Sequence, residues 1–366
     1  MSFRLCSQIS IGKYAFSGGV NDIVIKRSVK EIIDTCTIKI PGIANIESLK
    51  RGVADVLGPG ITAVTKSNVD GLSKSSVRTS TLWQEGDKVS IFLGYNNDYQ
   101  QEFKGFVRRV SPSIPVVIEC EGYGWQLRRK PFNGAWKSIK LIDLLTLIIS
   151  GTDVKLSPYI PDATLTDVWF KGGNALTALG ILKDKSHLAV YFYFDQLYAG
   201  LEEVQEGKKT IQRNWRLGWN APRTDTLKYR IADNTNVQIK VTAAKGKNAK
   251  TPILIVGDTG GSIINEHLAF NSDPGQMKRI ANQLLLYKKY TGFEGTITGF
   301  LQPYADPGDT ANIVDKMYNV YTGLYFIDGI EVKFGINGAQ RIVSISHALS
   351  APKFLALVNS NAQLNQ

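Results

Sequence analysis

Gly86-Asp87-Lys88-Val89-Ser90-Ile91 is a stretch that the chain repeats, with changes, as Gly308-Asp309-Thr310-Ala311-Asn312-Ile313. Each copy is followed by a second matching segment: Phe103-Lys104-Gly105-Phe106-Val107 follows the first, and Ile327-Asp328-Gly329-Ile330-Glu331-Val332 follows the second. In both copies a Gly-Asp turn, a strand, a hairpin, an aromatic strand and a closing strand succeed one another in the same order. An internal repeat of this kind predicts two similar small antiparallel β-barrels.

The residues that define the repeat are expected to be structural, because glycines allow turns and the alternating apolar residues fill a barrel interior. These barrel-motif residues are Gly86, Asp87, Val89, Phe103, Gly105, Val107, Gly308, Asp309, Gly323, Tyr325, Gly329 and Val332.

Length and composition are those of an ordinary globular protein. The chain has 366 residues, of which 43% are hydrophobic and 20% are charged, and this length suggests two to three domains. Its longest apolar run, residues 141–149, is far shorter than the roughly 20 residues of a membrane span. The N-terminus does not resemble a signal peptide, and three widely spaced cysteines suggest no disulfide framework. We therefore expect a soluble protein without a membrane anchor, made in a reducing cytoplasm.

The pattern of strands and helices divides the chain into three domains and a tail. Residues 1–132 contain alternating strands such as 35–40 and form the first β-barrel domain, with a loop or insertion at 43–80. Residues 133–230 form a mixed α/β domain, in which Ser138 caps a helix over 139–149 and a second helix covers 174–185. Residues 231–350 form the second barrel, with a helix at 273–290 that Asp273 caps, and 351–366 are a tail. The predicted fold class is mainly β with an α+β insert: two related small antiparallel β-barrels flank the mixed α/β segment.

Two motifs resemble parts of known catalytic or phosphate-binding sites. Asp258-Thr259-Gly260 matches the catalytic triplet of aspartic proteases, which need two such aspartates to share a proton, and the chain has one copy. Gly246-Lys247-Asn248-Ala249-Lys250-Thr251 lacks the second glycine of a phosphate-binding loop. We therefore interpret the first as a strand that ends in a turn and the second as a basic loop.

Single histidines and a glutamate cluster complete the catalytic candidates. His187, His267 and His347 lack metal-ligand spacing. Glu202, Glu203 and Glu206 could serve as the acid and base of a peptidoglycan-directed enzyme, but their position beside two lysines is typical of an exposed turn. We expect no catalytic, cofactor-binding or metal-binding residues and no enzyme activity.

The net charge of +11 raises the alternative of a nucleic-acid-binding β-barrel protein. The basic residues are spread over many small clusters, among them 50–51, 108–109, 208–209 and 245–250, whereas nucleic-acid binders concentrate charge on one face. The segment 128–130 is the best candidate, because Tyr123, Trp125, Phe132 and Trp136 surround it and could stack on bases. Most of these basic clusters are explained by a position on the solvated surface or in a subunit interface, so specific nucleic-acid binding is not expected.

The repeat and the segment between its copies resemble the baseplate hub family of phage tails: the late control protein D and Mu-like tail protein P group, and the hub portion of the type VI secretion spike protein VgrG. The residues that carry the resemblance are those of the Gly-Asp turns at 86–89 and 307–309, with 103–107, 323–330 and the closing strand 338–345. It covers most of the chain, although residues 43–80 do not match the family's pattern.

The resemblance implies a homotrimer whose six barrels, two from each chain, form a quasi-six-fold ring. Such a ring joins a hexameric tail tube to a trimeric spike, so the implied partners are the tail tube protein, a separate spike protein and other baseplate proteins. The implied location is the baseplate of a virion tail or of an injection system, assembled in the cytoplasm of the bacterial host. The implied tail is contractile or of a related phage type, and a prophage tail, a tailocin and an injection system all fit this pattern.

Overall fold

The structure is a computed structural model that describes residues 4–16, 20–41, 43–45, 76–78, 82–202, 211–224, 226–232, 236–243, 253–268, 274–317 and 322–349. Most of the predicted 43–80 insertion, Asp273, the loop at 246–251 and the tail at 351–366 lie outside these residues. Within them, no helix is long and apolar enough to cross a membrane.

The N-terminal third is built from strands whose apolar residues alternate toward one side. In β4, for example, Cys36, Ile38 and Ile40 are buried and the residues between them are more exposed, as expected of a strand with one buried face. The strands are β1 (Leu5–Ile11), β2 (Tyr14–Phe16), β3 (Asp22–Ser28), β4 (Thr35–Ile40), β5 (Ile43–Asn45), β6 (Ser76–Arg78), β7 (Lys88–Tyr95), β8 (Asp98–Ser111) and β9 (Val116–Glu121).

A mixed α/β layer follows β9. Its elements are α1 (Gly124–Arg129), β10 (Gly134–Lys140), α2 (Leu141–Ile149), β11 (Lys155–Leu156), β12 (Thr164–Phe170), α3 (Ala175–Ser186), β13 (Ala189–Tyr193) and β14 (Gln196–Gly200). The apolar faces of α2 and α3 share one hydrophobic cluster with β12, β13 and β14. The layer therefore has a core of its own.

The C-terminal part returns to strands and adds one long helix. Its elements are β15 (Gln212–Arg216), β16 (Leu227–Arg230), β17 (Val237–Ala243), β18 (Ile253–Gly257), β19 (Ser262–Leu268), α4 (Pro274–Lys288), β20 (Gly292–Gly299), β21 (Thr310–Val314), β22 (Gly323–Gly335) and β23 (Gly338–Ala348). The sheet β18-β17-β19 packs on α4 through a small separate cluster that includes Ile239 and Ile280.

One 13-stranded sheet carries the repeat. Its first half has the order β1-β7-β8-β9-β4-β3, with β2 added to β1, and its second half has the order β15-β21-β22-β23-β20-β16. Corresponding strands follow one another across the sheet in the same order in both halves. The halves differ where β1 runs antiparallel to β7 while β15 runs parallel to β21. The two halves are thus copies of one strand arrangement.

The predicted mainly β fold with a mixed α/β insert is confirmed, but the two halves do not form two separate closed barrels. Instead β3 pairs with β22 and joins the halves into one continuous ladder, and among the described strands no hydrogen-bonded pair closes either half on itself. One hydrophobic cluster extends through both halves. Pairing β3 with β22 satisfies the backbone groups that a free edge would leave exposed.

The predicted helices are found with adjusted ends. Ser138 does not cap a helix, because it lies in β10 and pairs with Thr166 of β12, and α2 begins only at Leu141. Asn174 caps α3 by accepting a hydrogen bond from the Thr177 amide. The predicted division into domains stays a prediction; β15 and β16, which precede residue 231, pair with strands of the second half.

Candidate functional site at the junction between the sheet halves

The two Gly-Asp turns have the same geometry. Gly86 and Gly308 both have φ of +91°, a conformation that favours glycine. In the first turn the Asp87 carboxylate accepts a hydrogen bond from the Gln84 amide at 2.9 Å. In the second, the Asp309 carboxylate accepts one from the Asp306 amide at 3.1 Å. Aspartate in this position closes the turn that starts each repeat.

The strands after the turns also match, and they fix the alignment of the two copies. The Val107 amide donates to the Asp87 carbonyl at 2.8 Å, and the Ile327 amide donates to the Asp309 carbonyl at 3.0 Å. A bulge follows each of these residues, between Val107 and Arg109 and between Ile327 and Gly329. The structure therefore aligns Val107 with Ile327, whereas the sequence comparison sets Gly105 against Gly329.

The other motif residues lie inside the sheet. Val89, Phe103 and Val332 are buried in the shared core. A Cβ on Gly105 would lie 2.2 Å from the Glu121 carbonyl oxygen, so the close approach of β8 to β9 requires glycine. The Tyr325 hydroxyl accepts a hydrogen bond from the Phe293 amide at 3.0 Å, and burial raises the pKa of Tyr325 to about 12.

The remaining motif glycines stand on β22 at close contacts. A Cβ on Gly323 would lie 3.0 Å from the Tyr325 hydroxyl, and one on Gly329 would lie 3.4 Å from the Arg27 carbonyl oxygen on β3. Gly329 and Val332 are thus the motif residues at which the second half meets the first.

The two halves meet along β3 and β22. Seven residue pairs, from Ser28 opposite Gly329 to Asp22 opposite Gly335, form an antiparallel ladder. The Val29 amide extends it by donating to the Asp328 carbonyl at 2.9 Å. The junction is heterologous, because an edge strand of one half contacts a central strand of the other.

A buried arginine on β3 holds the junction together. The Arg27 side chain is 1% exposed and donates to the Asp306 carboxylate at 2.5 Å, and its Nε lies 3.4 Å from the Asp34 carboxylate. Its guanidinium stacks over Phe194, 4.2 Å from the ring centre. The Tyr304 hydroxyl donates to Asp306 at 2.9 Å. Arg27 therefore links both sheet halves to the α/β layer.

Burial shifts the protonation of this cluster. Desolvation raises the pKa of Asp34 to about 7 although the Arg27 guanidinium lowers it, and burial likewise raises the pKa of Tyr304. One guanidinium faces two carboxylates in a space with little water, so a proton on one carboxylate relieves the repulsion between them.

A second buried arginine forms another contact between the halves. Arg341, on β23, pairs with Glu102, on β8, and both side chains are almost fully buried. Its other nitrogens donate to the carbonyls of Leu301 at 3.0 Å and Ala305 at 3.1 Å. Arg341 thereby fixes the segment 301–305 against the first half.

That segment also lies on the β7–β8 hairpin. The Tyr304 hydroxyl oxygen, whose proton is donated to Asp306, lies 3.1 Å from the Gln101 carbonyl oxygen, and the Gln302 side chain donates to Asp98 at 3.3 Å. The second half thus contacts the first through a strand ladder, two buried arginines and this segment.

The ionic residues of the junction were not among the predicted site residues. A signal was present, because Arg27 continues the alternation of Ile23 and Ile25, and Arg341 that of Val343 and Ile345. A charged residue at a core-facing position of a strand indicates a buried partner, but the sequence does not show which one.

The catalytic candidates that the structure describes have structural contacts. Asp258 accepts a hydrogen bond from the Lys289 ammonium at 2.6 Å and follows β18 in a turn. His187 lies 3.6 Å from Glu266, and His347 is buried against Tyr287 and Phe326. Within the described residues, no three His, Cys, Asp or Glu side chains are grouped as metal ligands. Glu203 and Glu206 lie outside those residues.

Many residues of the basic clusters are paired with acids. Arg108 and Arg128 share Glu121, and Arg129 pairs with Glu85 at 2.7 Å. The aromatic residues beside them pack on one another: Trp125 stacks on Phe106, and the Phe132, Trp136 and Phe170 rings form a second group. The clusters at 50–51, 208–209 and 245–250 lie outside the described residues.

Solved structures share the fold of this chain over nearly its whole length. A tail protein from Neisseria meningitidis MC58 is 11% identical with a TM-score of 0.63, and the match covers 94% of this chain and 96% of that one. The chain has the fold of this tail protein. A 43 kDa tail protein of prophage MuSo2 from Shewanella oneidensis is 13% identical with a TM-score of 0.57, and the coverage is 93% of this chain and 98% of that one.

The same fold extends to secretion systems. An E. coli type VI secretion component, described as similar to the T4 tail proteins gp27 and gp5, is 10% identical with a TM-score of 0.50, and the match covers 95% of this chain and 77% of that one. No protein-family model and no curated protein sequence matches the chain. The resemblance inferred from the Gly-Asp repeat is thus confirmed at the level of the fold.

Replacing Arg341 by Met should destabilise the protein by about 3–5 kcal/mol, because Glu102 is left buried without its partner. The double variant Arg341→Met with Glu102→Leu removes both charges and should recover most of this loss. Urea unfolding followed by tryptophan fluorescence measures both. A double variant no more stable than Arg341→Met would contradict the pairing.

The Asp34 pKa predicts a pH dependence. A carboxyl whose pKa is raised in the folded state stabilises the fold at low pH, and that contribution is lost as the pH rises from about 4 toward about 7. The free energy of unfolding of the native chain should therefore fall relative to that of Asp34→Asn between pH 5 and pH 8. Asp162→Asn, which changes an exposed carboxylate, is the control and should show no such trend. A difference that moves the opposite way would refute the assignment.

Proposed function

We propose that the protein is a structural hub of a phage-type tail baseplate, or of a related injection-system baseplate. Three chains form a ring of six similar sheet halves. One side of the ring binds the end of the hexameric tail tube, and the other side binds a trimeric spike. Other baseplate proteins contact its periphery.

The observation that carries this proposal is the heterologous junction between two copies of one strand arrangement. Contacts that join unlike surfaces of similar units can be repeated around a ring, whereas contacts between identical surfaces close after two units. Each chain supplies two units, so three chains supply six. The α/β layer occurs once per chain and gives the ring three-fold features.

The solved structures support this role through the fold they share with the chain. One is a tail protein, one is a tail protein of a prophage, and a third is a component of a type VI secretion system. The same fold therefore recurs in tail-like assemblies of different kinds. Attachment to a tube and a spike is the function that a six-unit ring with three-fold features can perform.

The proposed role is mechanical, without enzyme activity. Joining a tube to a spike needs no catalytic site. The acidic and histidine candidates that the structure describes act as ion-pair partners and packing residues, as Asp258 does with Lys289. Charged surface then serves to orient partner subunits during docking.

The nucleic-acid alternative has less support from the geometry. Base stacking needs aromatic faces that are open, whereas Trp125 and Trp136 lie against other rings. Arg128 and Arg129, which could contact phosphates, are engaged with Glu121 and Glu85.

The mass of the purified protein in solution tests the proposal. Native mass spectrometry should find three times the 40.4 kDa chain mass, either for the protein alone or when tube and spike proteins are added. A protein that stays monomeric under both conditions would exclude the trimeric hub.

A further inference from the structure

Two strand edges of the large sheet have no strand beside them within the described residues. The first is on β8: up to Phe106 it pairs with β7, and beyond the bulge, at residues 108–111, it pairs only with β9 on its other side. The second is on β16, which pairs with β20 on one side. An edge of this kind presents backbone N–H and C=O groups that can pair with another chain.

The repeat shows that these edges correspond to the two strands of the junction within the chain. β8 corresponds to β22. Before its bulge β22 pairs with β21, and beyond the bulge it pairs on the same side with β3. β16 occupies in the second half the place that β3 occupies in the first. The β3–β22 contact that joins the halves therefore has a counterpart that the chain does not make within itself. Its two strands would be β16, from the second half, and β8, from the first half.

The alignment of the halves gives the register of this counterpart. Because Val107 matches Ile327, Val110 matches Ile330. In the first half, Ile25 and Cys120 pair with the same residue of β4, from opposite sides. In the second half, Leu227 and Ile345 pair with the same residue of β20, from opposite sides.

Cys120 and Ile345 are themselves equivalent, since they face Val107 and Ile327 across the bulged strands. Leu227 therefore matches Ile25, and Tyr229 matches Arg27. Within the chain Arg27 lies opposite Ile330, so the counterpart places Tyr229 opposite Val110.

The hydrogen bonds of β16 provide an independent test of this register. The Thr296 amide donates to the Thr226 carbonyl, and residues of an antiparallel pair point their backbone groups alternately toward and away from their partner strand. Lys228 and Arg230 consequently direct their backbone groups to β20. Tyr229 directs its N–H and C=O away from β20.

The same reasoning applies to β8. The Gly122 amide donates to the Asp34 carbonyl, so by alternation Glu119 and Val117 of β9 direct their backbone groups to β8. They bond to Arg109 and Ser111, which lie opposite them. The N–H and C=O of Val110 are left on the open edge, as a hydrogen-bonded pair with Tyr229 requires; a register shifted by one residue would not bring such groups together.

Exposed apolar residues flank both edges. Ile231, directly after β16, is 52% exposed, and Ile114, on the hairpin after β8, is 93% exposed. The Val110 and Tyr229 side chains are half-buried against the core. A strand added at either edge would cover apolar surface as well as backbone.

The two arginines at the contact have partners within their own chains. The proposed register sets Arg109 opposite Arg230, a like-charge pair that costs stability. The Arg109 side chain, however, donates to Glu119 at 2.5 Å, and the Arg230 side chain donates to the Lys288 carbonyl and lies 5.2 Å from the Tyr290 ring centre. These partners hold both guanidinium groups within their own chains, which limits the repulsion across the contact.

We propose that β16 of one chain pairs antiparallel with residues 108–111 of β8 in a second copy, with Tyr229 opposite Val110. This inference rests on the trimeric ring proposed above and specifies the contact that closes it. The ring is then a ladder in which contacts within and between chains alternate.

Engineered cysteines test the register. Arg109 and Arg230 would form a non-hydrogen-bonded pair with Cα atoms about 4.5 Å apart, within the range that a disulfide spans. Arg109→Cys combined with Arg230→Cys, in a Cys6→Ser background because Cys6 is partly exposed, should give a covalent trimer on a non-reducing gel after mild oxidation. Ser111→Cys combined with Arg230→Cys should cross-link at least tenfold less, and each single variant should give at most a dimer.

Proline at Val110 tests the hydrogen bond. Val110→Pro removes an N–H that no described strand of its own chain accepts, so the melting temperature should change little while the trimer dissociates. Val110→Thr keeps the N–H and should remain trimeric.

The two tests separate this inference from the proposed function. Suppose that the native chain is a trimer, that the Arg109→Cys, Arg230→Cys double variant does not cross-link and that Val110→Pro stays trimeric. That result would overturn the β16–β8 contact and leave the hub in place. A native chain that stays monomeric with its partners would overturn the hub itself. If Val110→Pro fails to fold, the cross-linking result decides.

Discussion

The antiparallel pairing of β3 with β22 is the contact on which the rest of the molecule depends. Without it the chain would contain two separate sheet units, of seven and six strands. With it, seven residue pairs fix the offset and angle between the units. The shared core, the ionic cluster and the position of the α/β layer all follow from that offset. The junction also sets how a further unit could be added.

The buried ions distinguish this junction from the contact that we propose between chains. Arg27 is matched in the other half by Tyr229, Asp306 by Gln84 and Arg341 by Val116, so the ionic cluster is not repeated. Buried ion pairs add geometric specificity more than net stability. The halves of one chain are therefore held in a defined arrangement before assembly. The corresponding contact between chains relies on backbone hydrogen bonds and apolar surface, which can form after each chain has folded.

The sequence was sufficient for the local structure and for the repeat. Alternation identified strands such as β4 and β17, and the turns at Gly86 and Gly308 revealed the two halves because both need a glycine with positive φ. It was not sufficient for the pairing of β3 with β22, which joins residues about 300 positions apart. Nor could it assign Glu102 to Arg341, because strand alternation shows that a side chain is buried but not what it meets. The alignment of Gly105 with Gly329 failed for a related reason: the hairpins between the matched segments differ in length.

Electron cryomicroscopy of the purified assembly is the most direct test of the central claim, that two equivalent units in each chain are joined head to tail. We predict a ring of six similar lobes with exact three-fold symmetry, in which neighbouring lobes are related by rotations of nearly the same size. A two-fold dimer, or a trimer in which the lobes of each chain lie at different distances from the axis, would contradict the account.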